Sequence, residues 1–376
     1  MKLFASALLV LGVVSAASAE TIRVYVGTYT NAKSKGVYLI DLDSETGKLS
    51  NLRVAAEVTS PSFLAIHPTK KYLYAVSEVS EGKKRTGAVT AFSINEDGSL
   101  KKLNHQSSEG AGPCHLVVDA SGKSVLVANY GGGSIASLPI AEDGSVGAAA
   151  SAIQHTGSSK NPNRQKEPHA HSINVDPSNK YAFAADLGLD KVLVYKLDAA
   201  NAKLTANDPP AGVVEPGSGP RHFAFHPAGK TCYVINELAN TVTAFSFDAD
   251  SGKLTPVQTI STLPKDFKGT SYTAEVVVHP TGKLLFGSNR GHNSIASFVI
   301  NDMGHLTATR HQAKGIKTPR NFAVDPTGTF LLVGNQDSDS IVVFRINTND
   351  GELTPVGEPY SVPMPVCIRF LRTEKR

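Results

Sequence analysis

Two imidazoles stand two residues apart in the stretch EPHAHS, as His169 and His171 behind Pro168. In a strand that spacing sends both rings to one face, and three things use such a pair: a metal clip, an acid/base pair, or ordinary packing in a wall. Further along the chain come Arg221 and His222 in GPRH, Asn236 and Glu237 in INE, Asn289 and Arg290 in SNRG, and then Arg320. Guanidinium groups hold a carboxylate or phosphate in fixed bidentate geometry, and His or Glu can supply a proton-transfer step. A metal clip needs third and fourth soft or carboxylate ligands, whereas arginines repel a cation. The set therefore points to an anionic substrate that needs proton transfer, with no metal and no cofactor. Whether these groups meet depends on the elements that carry them.

Those elements repeat. Seven tight turns are variants of one another: DSETGKL, NEDGSL, AEDGSV, LDAANAKL, DADSGKL, NDMGHL and NTNDGEL, recurring about every 51 residues. Each follows a short alternating run such as GVYLIDL, AVTAFSI or SIASFVI, the mark of a half-buried strand ending in a turn. A second turn signal, His or Asp followed mostly by Pro, occurs only six times: at Pro68, Ala120, Pro177, Pro227, Pro280 and Pro326. Four strands per period predict an all-β, seven-bladed β-propeller with four antiparallel strands per blade. The mismatch of seven against six locates the seam. The chain enters on TIRVYVGTYT and ends on PVCIRF, so one blade takes three strands from the N-terminus and its innermost strand from the C-terminus. Pairing the termini closes a ring that would otherwise expose sheet edges.

Aligned on the second turn, the copies separate scaffold from site. Four and two residues upstream the positions are apolar throughout, which is core. One residue upstream stand His67, Asp119, Asp176, His226, His279 and Asp325, the chemistry of a hairpin whose backbone they hold. Nine downstream are Ser77, Asn129, Asp186, Asn236, Asn289 and Asn335, uniformly small and polar, and read as backbone-satisfying groups where the strand leaves the sheet. Two positions break the pattern. Ten downstream the chain has Glu78, Tyr130, Leu187, Glu237, Arg290 and Gln336; six upstream it has Ser62, Cys114, His171, Arg221, Ala274 and Arg320. The first residue of the innermost strand and the last of its antiparallel neighbour meet at one end of the blade, so both variable positions open on the central channel. His171, Arg221 with Glu237, Arg290 and Arg320 then form one arc, with His169 nearer the solvent.

The ends and totals add context. MKLFASALLVLGVVSAASAE has one early Lys, an apolar run too short to span a bilayer and a small-x-small pattern at Ala17-Ser18-Ala19. Residues 1–19 are expected to be a signal peptide and 20–376 a single propeller, exported to the periplasm or secreted, with no membrane attachment after cleavage. Without Lys2 the chain has 36 basic and 33 acidic residues, no nucleic-acid footprint. Three cysteines, an odd number, predict buried free thiols rather than a disulfide framework. A monomer is expected.

The segments GPRHFAFHPAGKTCYVINEL, EPHAHS, SNRGHNSIASF and VYVGTYT together resemble the lactonase family of seven-bladed propellers, which includes propeller-type 6-phosphogluconolactonases and carboxy-muconate lactonizing enzymes. The resemblance covers essentially the whole chain after the leader. It implies a catalytic set of His171 (or His169), Arg221, Glu237 and Arg290; around that set His169, His222, Arg320, Asn236, Asn289, Tyr130, Glu78 and Gln336 are expected as substrate contacts. Hydrolysis of a sugar lactone with an anionic or polar tail is the leading expectation, with Glu237 or His171 taking a proton from water and an arginine stabilising the oxyanion. Lactone formation from a muconate-type dicarboxylate is the alternative within the site. A non-catalytic binding propeller is the alternative outside it, although the chain has no Trp to anchor a partner. No acidic calcium loop and no Trp-rich blade motif is present. The polar insertion 155–169 reads as a solvated linker, with a lid as the other possibility.

Overall fold

The computed structural model describes residues 20–30, 33–81 and 85–372; the expected signal peptide lies outside them. Twenty-eight strands form seven sheets of four, each in meander order. The innermost strands are Leu64–Ile66, Pro113–Val118, Ala170–Val175, Pro220–Phe225, Tyr272–Val278, Pro319–Val324 and Pro365–Arg372. The last of these pairs antiparallel with Thr21–Thr28, from Ile22 opposite Arg372 to Thr28 opposite Pro365. The first blade is thus closed from both termini, as the turn count predicted. Among the described residues no helix is long and apolar enough to cross a membrane.

Blades are held together by apolar packing and by repeated polar ties. Phe183 of the fourth blade stacks on Phe223 of the fifth, with Phe225 and Phe247 edge-on around it. Burying each such ring stabilises by roughly 1.5 to 3 kcal/mol. Tyrosines on the second strand of a blade reach the acidic-Gly turn of the next: Tyr25 Oη donates to Gly98 O, Tyr74 to Gly144 O and Tyr233 to Gly304 O. The hairpin histidines do the same at the second turn. His67, His226 and His279 donate from Nε2 to the carbonyls of Gly122, Gly282 and Gly328 in the following blade. Their Nδ1 atoms accept from the backbone N–H groups of Thr69, Ala228 and Thr281. The aspartates of that column cap their own turns, Asp119 accepting from the backbone of Ser121, Lys123 and Ser124. All three cysteines are free and buried.

Candidate active site at the channel mouth

The variable column six residues upstream of the turn has a structural cause. In the third, fourth, fifth and seventh blades the register slips by one at the start of the innermost strand: Pro113 faces Asn129 but His115 faces Ala128, Ala170 faces Asp186 but Ser172 faces Ala185, Pro220 faces Asn236 but His222 faces Ile235, and Pro319 faces Asn335 but Asn321 faces Gly334. Cys114, His171, Arg221 and Arg320 are the extra, unpaired residues. A β-bulge of this kind bends the strand and re-aims its side chain, here towards the channel. In GPRH the preceding Gly219 has φ +66°, a conformation glycine adopts without strain, and its carbonyl accepts the Glu237 N–H at 2.7 Å. The acid is thereby fixed opposite the arginine.

Glu237 is the hub. Its Oε2 lies 3.0 Å from Arg221 Nε and 2.9 Å from Arg290 Nη2, while Oε1 takes Arg164 Nη2 at 2.7 Å. His171 Nε2 is 4.0 Å from the same Oε2. Arg221 is also tied to Ala274 O in the next blade, and Arg290 to Thr273 O. Burial opposes ionisation of Glu237, yet Arg290, Arg221 and Arg164 together outweigh it and hold the carboxyl at about 2. Burial, followed by repulsion from Arg221, draws Arg290 down to about 10. Burial, then Arg221, His222 and Arg320, push His171 well below 6.5, so the ring is neutral at pH 7.

The other side of the mouth is formed by Tyr29, whose hydroxyl donates to Glu78 at 2.9 Å, and by Arg320, whose Cζ lies 5.3 Å from the Tyr29 ring centre. Between the two sides runs a narrow crevice lined by Tyr29, Ser62, Glu78, Cys114, Arg221, His222 and Arg320, with Phe63 and Val366 as apolar wall. Ser62 Oγ and Arg290 Nε are buried with no hydrogen-bond partner among the described residues. Four arginines against two carboxylates leave the mouth with an excess of positive charge.

His171, Arg221, Glu237 and Arg290 thus meet, as does Arg320 across the crevice. His169 lies just ahead of its strand, stacked on Tyr130 at 4.5 Å with Nδ1 3.0 Å from Tyr130 O, and His171 packs edge-on to the same ring at 5.0 Å. The two imidazoles share a face with Tyr130 between them. Three expected substrate contacts are placed otherwise. Asn236 spends its amide on Thr241 and Thr243, and Asn289 on Thr262 and Ser294. These are the backbone-edge duties that their uniform column implied. Gln336 opens a short 3-10 turn and donates to Asp337.

The insertion 155–169 is the expected linker, joining Ser151–Gln154 to Ala170–Val175 with most of its residues exposed, and it is pinned to the blades. His155 Nδ1 meets Asp186 at 2.7 Å and its Nε2 meets Tyr195 Oη at 3.0 Å; Gln165 is fully buried and donates to Leu187 O. The pinned loop delivers Arg164, which the repeat comparison missed because an insertion has no counterpart in the other blades. The column five residues upstream, Phe63, His115, Ser172, His222, Glu275 and Asn321, had entered the expected site only through His222. It varies as much as its neighbour, and that variation was the available signal.

Fold and mouth together define a propeller whose channel entrance is lined by arginines around a clamped carboxylate. A family model described as Lactonase, 7-bladed beta-propeller, matches residues 23–370. The 6-phosphogluconolactonase of Bacillus subtilis (strain 168) is 38% identical over 350 residues, 92% of this chain and 97% of that protein. The 6-phosphogluconolactonase of Formosa agariphila is 37% identical over 336 residues, covering 88% and 94%. The solved structure of a Pseudomonas aeruginosa periplasmic gluconolactonase superposes with a TM-score of 0.88 at 31% identity, over 93% of this chain and 99% of that one. The chain belongs to the lactonase family of seven-bladed β-propellers.

Proposed function

We propose that the protein is a lactonase that opens a sugar lactone of the gluconolactone type, with or without a phosphate, and that it acts after export. The carrying observation is the Glu237 clamp: three guanidinium groups held by one carboxylate at the mouth of a channel in a chain of this family. Relatives named as 6-phosphogluconolactonase and periplasmic gluconolactonase support hydrolysis and do not favour lactone formation from a muconate. The periplasmic relative, with the leader-like residues 1–19, supports export.

The geometry supports the following roles. With its carboxyl held at about 2, Glu237 is a poor proton acceptor at neutral pH, and its part is to fix Arg221 and Arg290 at the reacting centre. One of these guanidiniums faces the oxyanion that forms when water adds to the ring carbonyl, a contact worth about 10² to 10³-fold in rate. Arg164, a third exposed, and Arg320 are placed for the anionic or hydroxylated tail. A neutral imidazole of the mouth takes the proton of water; a positioned base of this kind contributes about 10² to 10⁴-fold. Assay of purified protein on glucono-δ-lactone, 6-phosphogluconolactone and a carboxy-muconate tests the reading. Turnover of either lactone above the spontaneous rate supports it, and activity on the muconate alone overturns it.

A further inference from the structure

Below the mouth, three inner strands bring together groups that the family set does not use. His222 Nδ1 lies 2.8 Å from Glu275 Oε1, across the boundary between the fifth and sixth blades. Oε1 also accepts the Val276 N–H at 2.9 Å, and Oε2 accepts Asn321 Nδ2 from the seventh blade. Asn321 is oriented in turn, because its Oδ1 accepts the Ile368 N–H of the closing strand at 2.8 Å. Each oxygen of Glu275 therefore already receives an N–H. Burial raises the Glu275 carboxyl, while Arg369, the Val276 N–H and Arg221 oppose that rise; as a carboxylate Glu275 is acceptor-only, which places the His222 proton on Nδ1 and the lone pair on Nε2. That nitrogen has no protein partner among the described residues, and His222 lines the crevice with Arg221, Arg320 and Ser62.

His171 is placed differently. Its Nε2 faces the clamped Glu237 at 4.0 Å, its Nδ1 lies 3.6 Å from Cys114 Sγ, and it is not among the residues lining the crevice. Its Nδ1 lies against the thiol, and its Nε2, at 4.0 Å beyond hydrogen-bond distance of the carboxylate, stands on the side of the clamp. His171 packs at 5.5 Å against the His222 ring.

Building on the lactonase reading, we infer that His222, oriented by Glu275 and Asn321, is the general base of this enzyme, and that His171 is a positioning residue that supports the His222 ring and the Glu237 clamp. The Nε2 lone pair takes a proton from water as the water oxygen bonds to the lactone carbonyl carbon. An arginine holds the resulting oxyanion. When the tetrahedral adduct collapses, the bond from carbonyl carbon to ring oxygen breaks and Nε2–H returns the proton to the departing alkoxide. The hydroxy acid then loses its own proton to solvent, which balances addition of one water. Glu275 supplies the counter-charge for the transient imidazolium, a His–carboxylate arrangement of general use. The groups facing His222 from the surrounding strands are Arg221, Arg290, Arg320 and Arg369, which oppose that charge, the neutral His115 and His171, and Glu275, which favours it.

The test is steady-state kinetics on whichever lactone the wild-type protein turns over. His222→Ala should lower kcat at least a hundredfold with KM changed less than about threefold, and added imidazole should restore part of the loss. His171→Gln should cost less than His222→Gln. Glu275→Gln should lower the plateau of kcat/KM and move its acidic limb to lower pH, because removing the carboxylate disfavours the imidazolium; a merely structural change would lower the rate without moving the limb. Wild-type-like turnover in His222→Ala, or a larger loss in His171→Gln, overturns the inference. Should His222→Ala fail to fold, the Glu275→Gln profile decides, and an unmoved limb overturns it. An inactive wild-type protein defeats the lactonase reading itself, whereas an active one with indifferent His222 defeats only this assignment.

Discussion

The hairpin histidines and the channel histidines lie at opposite ends of the same two-stranded units, and their chemistry is opposite. His67, His226 and His279 recur at one position, carry the proton on Nε2, and give it to a carbonyl of the next blade while Nδ1 accepts a backbone N–H. Both nitrogens are consumed by the scaffold. His115, His171 and His222 occupy positions whose neighbours in other blades are Cys, Ser, Arg, Glu or Asn, and none repeats its partner set. Burial is the leading cause that drives each of these three well below 6.5, with nearby arginines adding to it. A ring that ties blade to blade must be satisfied in the same way each time; a ring that handles protons needs surroundings its counterparts lack.

Breaking the channel end should have the largest effect. Arg221→Ala is expected to lower kcat/KM at least a hundredfold, read beside a melting curve that confirms a folded protein. Glu237→Gln removes the counter-charge of three arginines and is expected to cost about 3 to 5 kcal/mol in chemical denaturation, the range for breaking a buried pair from one side. The sign with pH follows from the depressed carboxyl. Its contribution is fully present above pH 4.5, the unfolded value, and is lost as pH falls through the folded value of about 2. The wild-type protein should therefore lose stability over that window more steeply than Glu237→Gln, by about 3 kcal/mol. Parallel curves would remove the clamp from the account.

Arg164→Ala sharpens the comparison at smaller scale. The side chain reaches the clamp from an insertion and is a third exposed, so KM for an anionic lactone should rise about tenfold, equal to about 1.4 kcal/mol, with kcat within threefold. An equal effect on a neutral lactone would argue against a tail contact. Smallest in its effect on turnover, His226→Ala or His279→Ala should cost about 1 to 3 kcal/mol of stability, the usual worth of the two hydrogen bonds each ring makes, with turnover within twofold. A large activity loss there would erase the distinction between the two ends.

Much of this was legible along the chain. The turn count located the seam now seen between Thr21–Thr28 and Pro365–Arg372, because each strand and turn is specified by neighbouring residues. The arc of His171, Arg221, Glu237, Arg290 and Arg320 was legible from the variable columns. Less legible were Asn236 and Asn289, expected near the substrate yet bound to nearby Thr and Ser groups, and Arg164, which no repeat could flag.

Alternating apolar residues and glycine or aspartate turns by themselves determined strand, hairpin, blade number and ring closure, since period-two burial and turn geometry are local demands on the backbone. Only the tertiary structure decided which imidazole keeps an available lone pair and which carboxylate is locked as an anion. Those properties depend on side chains contributed across blade boundaries, as Glu275 orients His222 and as Arg290 and Arg164 join Arg221 on Glu237, and a proton's position is set by partners in space.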